Sequence, residues 1–259
     1  MGSATKIQQP LLEVKSLSKV FSRRNANPLV AVNDVSFSLS KGQCLGLVGQ
    51  SGSGKSTLAK MILRLLDPSS GQIIFDGKDI TSAKGKELRR IYQQMQAVFQ
   101  SPTSSFNPRQ TLGSGMTEGL RNAGETVKNA KTRVLELMEW CELPSALYER
   151  YPREVSGGQC QRAALVRALA TKPSLLVCDE VTSALDVTVQ YQIMQLLQQI
   201  RNETNLTLLF ICHDIALVQL FCDFIMLMKD GKFVERGPAD TVLRTPQTDY
   251  AKALIAAAS

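Results

Sequence analysis

A chain of 259 residues with 44% hydrophobic content can bury a substantial core as one domain or as one domain plus a lobe, which excludes a mainly disordered protein. Its formal charge of +7 is scattered, with Arg23-Arg24 and Arg89-Arg90 the nearest things to clusters, so it reads as a solvated basic surface rather than a nucleic-acid or anionic-membrane footprint. Six cysteines with no CxxC pair and a single histidine offer no zinc-ligand set, and the cysteines are expected to be reduced, mostly buried small hydrophobes.

The first residues, MGSATKIQQP, carry no apolar signal core, and no apolar run approaches the roughly eighteen residues of a bilayer span. A cytosolic chain is expected. The first strong element is the short apolar run Cys44 to Gly49, followed by GQSGSGKS and then by Thr57 to Leu66, where Leu58, Met61, Ile62, Leu65 and Leu66 recur at helical spacing. That is strand, glycine-rich loop, helix. Between about Ser101 and Glu154 the pattern is helical with proline and glycine breaks and holds the one tryptophan, Trp140, which suggests a helical lobe inserted in an α/β core. Ser174 to Glu180 and Leu206 to Asp214 are continuous apolar runs ending in polar residues, with a helical pattern between them. The alternation predicts a parallel sheet covered on both faces.

Gly49, Gln50, Ser51, Gly52, Ser53, Gly54, Lys55 and Ser56 satisfy GxxxxGK[ST] in the context that gives the pattern meaning, after a strand and before a helix. Loop N–H groups and a helix N-terminus converge on phosphate oxygens there; Lys55 reaches the β and γ phosphates and Ser56 can ligate Mg²⁺. Asp179 and Glu180 end a strand at the carboxyl edge of the sheet, where open α/β sheets bind ligands. An acid in that place often only caps the next helix, and it is the phosphate loop that raises Asp179 to a Mg²⁺ ligand and Glu180 to a base for water. His213, the one histidine, also ends a strand; it is open to a structural role or to contact with the γ phosphate. A second glycine-bearing helix start follows at Ser156-Gly157-Gly158-Gln159, with Ser156 as its N-cap and N–H groups able to hold an anion.

These residues together resemble the ATP-binding cassette ATPases. VSGGQ is similar to the family signature, with Val155 in its first position, and the other marks stand in order: Walker A at Gly49 to Ser56, a Q-loop glutamine at Gln100, Walker B ending at Asp179-Glu180, a D-loop at Ser183 to Asp186, and a switch histidine at His213. The resemblance implies a P-loop NTPase (RecA-like) α/β core with an antiparallel β subdomain and an inserted helical subdomain. The cassette would span 10–245, the helical part about 101–163, and a short C-terminal tail 246–259. It implies ATP and Mg²⁺ as ligands, with Ser56, Gln100 and Asp179 on the metal and Glu180, His213 and Gln100 at the chemistry. Phe21 would stack on adenine, Thr57 would join the phosphate loop, and Ser156 to Gln159 and Asp186 would serve a nucleotide across a head-to-tail dimer.

VFQSPTSSFNPRQTL (Val98 to Leu112) and the tail TPQTDYAKALIAA (Thr245 to Ala257) narrow the resemblance to the oligopeptide, dipeptide and nickel importers. That implies an ATPase subunit at the cytoplasmic face of a cell membrane, powering uptake of peptides, nickel or a metal chelate. Its partners would be two transmembrane permeases, a sibling ATPase (a heterodimer, or alternatively a homodimer) and an extracytoplasmic substrate-binding protein, with no nucleic acid. Phe106 and Pro108 are candidate permease contacts, a buried aromatic and a turn proline being equally open. The competing reading is a non-transport ATPase of the same superfamily acting on nucleic acid or ribosomes, against which stand the short stretch from Lys55 to Ser156 and the lack of a zinc module or second cassette.

Overall fold

The computed structural model describes residues 9–23, 26–101, 103–181 and 187–257. Strands β1 (Leu12–Arg23) and β2 (Ala26–Leu39) pair antiparallel, and after β3 (Cys44–Val48) and helix α1 (Lys55–Ile62) the chain returns through β4 (Ser70–Phe75) and β5 (Lys78–Asp79) to complete a four-stranded antiparallel sheet, ordered β2-β1-β4-β5. Helix α2 (Gly85–Gln94) leads into β6 (Met95–Phe99). Helices α3 (Leu112–Asn122) and α4 (Val127–Trp140) pack with α5 (Gly157–Ala170), which runs unbroken across the expected lobe boundary near 163. The second sheet takes β3 and β6 together with β7 (Leu175–Asp179), β8 (Thr207–Cys212), β9 (Phe224–Lys229) and β10 (Lys232–Pro238), in the order β10-β9-β3-β8-β7-β6. All its pairings are parallel except β10 on β9. Helices α6 (Val187–Thr204) and α7 (Ile215–Phe221) connect its strands, and α8 (Ala239–Arg244) and α9 (Asp249–Ala256) follow it.

The continuous apolar runs are explained by this sheet, because each strand serves two cores. Leu176 and Cys178 of β7 and Leu208, Phe210 and Cys212 of β8 face one cluster with α3 to α7; Leu175, Val177, Leu209 and Ile211 face another with α1 and the antiparallel sheet. Burying both faces leaves the carboxyl edge as the place where polar residues can gather. All six cysteines are buried, and burial pushes the thiols of Cys160 and Cys141 up to about 11 and about 12.

The helix expected to reach Leu66 ends at Ile62. Arg64 turns into the left-handed region (φ 56) and the N–H groups of Leu65 and Leu66 fold back onto the Lys60 carbonyl, a helix stop made without the glycine that usually signals it. Among the described residues no helix is long and apolar enough to cross a membrane.

Candidate nucleotide site

Helix α1 starts at Gly54, whose φ of 106 is open to glycine but strained for other residues, and no side chain caps it. A Cβ on Gly54 would lie 2.3 Å from the Ala31 carbonyl oxygen, so the loop lies directly on β2. The orphan N–H groups of a helix start, left without a side-chain acceptor and backed by positive potential, form a cradle for an anion. Lys55 is buried with its Nζ donating to the carbonyls of Gly49 (2.7 Å) and Gln50 (3.0 Å). Burial lowers its pKa, while Glu180 and Asp179 pull it back up.

The next residue, Ser56, donates its hydroxyl to Asp179 Oδ1 at 3.2 Å, joining the start of α1 to the end of β7. Asp179 is 7% exposed, and burial raises its pKa against the lowering effect of the Ser56 hydrogen bond. A hydroxyl and a carboxylate held together are the hard oxygen donors that Mg²⁺ takes beside phosphates, so the residues present fit that ion. Beyond β7 the chain turns sharply. Glu180 sits at φ 52, with its N–H donating to the Ile211 carbonyl at 2.9 Å. A left-handed non-glycine residue costs roughly 1–2 kcal/mol.

Glu180 lines a cleft of about 440 Å³ together with Ser51, Gly52, Gly54, Lys55, Ser56 and Thr57. The opposite wall is Phe21, Leu29, Val30 and Ala31 of the antiparallel sheet, closed by Asp230-Gly231 at the β9–β10 turn. Phe21, Leu29 and Val30 are 36%, 41% and 45% exposed, which leaves apolar surface beside the phosphate cradle for a planar base. Sequence reasoning missed Leu29, Val30, Ala31, Asp230 and Gly231. The Asp-Gly pair signals a tight hairpin, but nothing local says that the hairpin abuts the loop; the Gly231 N–H donates to the Ser53 carbonyl at 3.0 Å.

Gln100 follows β6 and His213 follows β8, the two strands that flank β7, so both stand at the carboxyl edge next to Asp179-Glu180, exposed and outside the cleft lining. Gly49, Gln50 and Ser53 lie outside that lining, Gly49 and Ser53 buried and Gln50 exposed. Asp186, like the rest of the D-loop from Ser183, lies outside the described residues. Ser156, Gly157, Gly158 and Gln159 also stand apart from the cleft lining. They begin α5 with a reciprocal cap: the Gln159 N–H donates to Ser156 Oγ at 3.2 Å and the Ser156 N–H to Gln159 Oε1 at 3.0 Å.

The segment after Gln100 is strapped to this same helix. Arg167 of α5 donates to the Ser105 carbonyl and lies 4.5 Å over the Phe106 ring. Phe106 is 5% exposed, which removes it as a surface contact for a partner; Pro108 is exposed.

Comparison with known proteins fits this geometry. The ABC transporter family model matches residues 32–183. A Brucella ovis protein named for peptide import and ATP binding is 40% identical over 251 residues, 96% of this chain and 79% of that one. The oligopeptide transport ATP-binding protein OppF of Bacillus subtilis is 41% identical over 252 residues, 96% of this chain and 82% of its own length. Among solved structures, the dimeric post-hydrolysis state of the ATP-binding cassette MJ0796 bound to ADP and Pi superposes with a TM-score of 0.81 at 28% identity, covering 88% of this chain and 98% of that one.

Proposed function

The chain belongs to the ATP-binding cassette family, and from that premise we propose that it is the ATP-hydrolysing subunit of a peptide importer. The observation that carries the reading is the convergence of Lys55, Ser56 and Glu180 on one cleft, with Asp179 bonded to Ser56 behind them. The uncapped start of α1 receives the phosphates and Lys55 turns from the loop carbonyls to the β and γ oxygens. Phe21 and its neighbours take the adenine face. Mg²⁺, when bound through Ser56 and Asp179, supplies charge neutralisation at the phosphates. Glu180 orients the attacking water and accepts its proton, Gln100 serves the metal shell, and His213 stands at the γ-phosphate side.

Ser156 to Gln159 and Asp186 serve the nucleotide of a sibling ATPase in a head-to-tail pair. The names of the relatives favour peptides over nickel or a metal chelate as the imported solute. The further partners are two permeases and an extracytoplasmic substrate-binding protein, with this chain at the cytoplasmic face of the membrane. The test is reconstitution with the permeases in lipid vesicles, with the substrate-binding protein and peptide outside: peptide uptake should require ATP trapped in the lumen and fail with Glu180→Gln in both ATPase positions. Uptake undiminished in that double variant would overturn the reading.

A further inference from the structure

The last helix of the chain reaches the phosphate loop. The first loop residue, Gly49, lies against the end of β9 so closely that a Cβ on it would stand 2.2 Å from the Met228 carbonyl oxygen. Tyr250 of α9 donates its phenolic hydrogen to that same carbonyl at 3.3 Å and accepts the Gln50 N–H at 3.2 Å. One hydroxyl thus ties the second loop residue to the sheet. Lys229 stands 5.3 Å over the Tyr250 ring, and the ring packs on the helical-side core.

Helix α9 is itself fixed at its start. Glu235 of β10 accepts the N–H groups of Gln247 and Thr248, each at 2.9 Å, and the Thr248 hydroxyl at 2.7 Å; Thr248 Oγ1 in turn accepts the Ala251 N–H at 3.1 Å. Burial pushes the Glu235 carboxyl up, but the bonds from Gln247 and Thr248 outweigh it and hold its pKa below the ordinary glutamate value. The tail is therefore anchored to the sheet independently of its contact with the loop.

We propose that Tyr250 is a positioning residue for ATP, its hydroxyl holding the entry of the phosphate loop so that the amides after Gln50 are ordered before the phosphates arrive. A loop with three glycines loses much conformational freedom when it closes on a ligand, and a restraint at its first polar N–H removes part of that loss in advance. The bond also withdraws the Gln50 N–H from the phosphate donors and leaves the cradle to the residues nearer α1. The family's matched region, 32–183, contains the loop but not Tyr250, so the contact joins the shared core to the tail.

This inference rests on the cleft being the ATP site, and the experiment separates the two. In the full chain, Tyr250→Phe keeps the ring over the core and removes only the hydroxyl. Affinity for MgATP is read by titrating a fluorescent ATP analogue, and KM and kcat are read in the assembled complex. Loss of one backbone hydrogen bond should raise Kd and KM about threefold to tenfold, with kcat changed less than about twofold and the folded far-ultraviolet spectrum retained. Kd and KM within about twofold of the parent would overturn the proposal, as would a fall in kcat at constant KM. Lys55→Ala is measured alongside: if it binds ATP like the parent, the site assignment has failed, whereas lost binding there with an unmoved Tyr250→Phe refutes the tyrosine's role alone.

Discussion

The two glycine-bearing helix starts of this protein are built in opposite ways. Helix α1 begins at a left-handed glycine with no side-chain cap, and the cleft that it opens onto is walled by Phe21, Glu180 and the β9–β10 turn. Helix α5 begins at Ser156, and Ser156 and Gln159 cap each other's N–H groups, Ser156 exposed and Gln159 half-buried. An uncapped helix start with walls around it is half of a binding site whose other half lies in the same chain. One that is capped by its own residues keeps its shape without a ligand, which suits the role across a dimer proposed for it. Motif patterns alone make the two look alike; the caps and the walls separate them.

The sharpest test of the walled site is Glu180→Gln. It should lower turnover about 10²- to 10⁴-fold in the assembled complex, the usual size of a lost base, while ATP affinity stays within about threefold. Turnover near the parental rate with the change in both ATPase positions would assign Glu180 to shaping the turn after β7. The contrast between the starts is measured directly by Lys55→Ala and Ser156→Arg. In the isolated chain the first should weaken ATP binding about 10- to 100-fold through loss of charge-assisted bonds to the phosphates. The second should leave that affinity unchanged yet stop hydrolysis in the complex. A matching loss of affinity with Ser156→Arg would erase the distinction between a site served in cis and one served in trans.

Alanine at the two glycines compares the starts as structure rather than as chemistry. Gly54→Ala forces a Cβ into the Ala31 carbonyl at a φ of 106 and should lower the unfolding midpoint by several degrees, at about 2–4 °C per kcal/mol for a chain of this size. Gly157 has nothing within 4 Å of such a Cβ, and Gly157→Ala should leave the midpoint unchanged or slightly raised. Equal destabilisation by both would mean that α5 is packed as tightly at its start as α1.

The smallest effect concerns Asp179. Its pKa is raised by burial, so it holds a proton more tightly folded than unfolded, and the stability it contributes falls as pH rises through the carboxylate range. At neutral pH Asp179→Asn should therefore melt about 2 °C above the parent without nucleotide, the difference closing at acid pH, while Mg²⁺-dependent ATP binding weakens. A lower midpoint for the variant at neutral pH would mean that the ionised carboxylate is better compensated by Ser56 and Lys55 than its burial suggests.

Local chemistry made much of the site legible in advance. GxxxxGKS between an apolar run and a helical pattern describes a loop whose backbone is its function, and a strand ending Asp-Glu announces itself by composition. The cap at Ser156 follows from the preference of serine for that position. The end of α1 was not legible, because a left-handed arginine leaves no mark that distinguishes it from an ordinary helical one. Phe106 was equally silent: an aromatic two residues before a turn proline reads the same whether it meets solvent or, as here, lies beneath Arg167.

What the sequence determined by itself was the strand, loop and helix pattern around the motifs and the chemical kind of the residues they carry, since hydrophobic period, glycine placement and caps act over a few neighbours. Tertiary structure decided which residues share a cleft. The strand order β3-β8-β7 with β6 at the edge places Gln100 and His213 on either side of Asp179, the antiparallel sheet supplies Phe21, Leu29 and Val30 as a wall, and α9 sets Tyr250 against Gln50 two hundred residues away in the chain. These meetings depend on how two faces of one sheet are covered at once, and burial over such separations is a property of the whole packed core rather than of any segment that enters it.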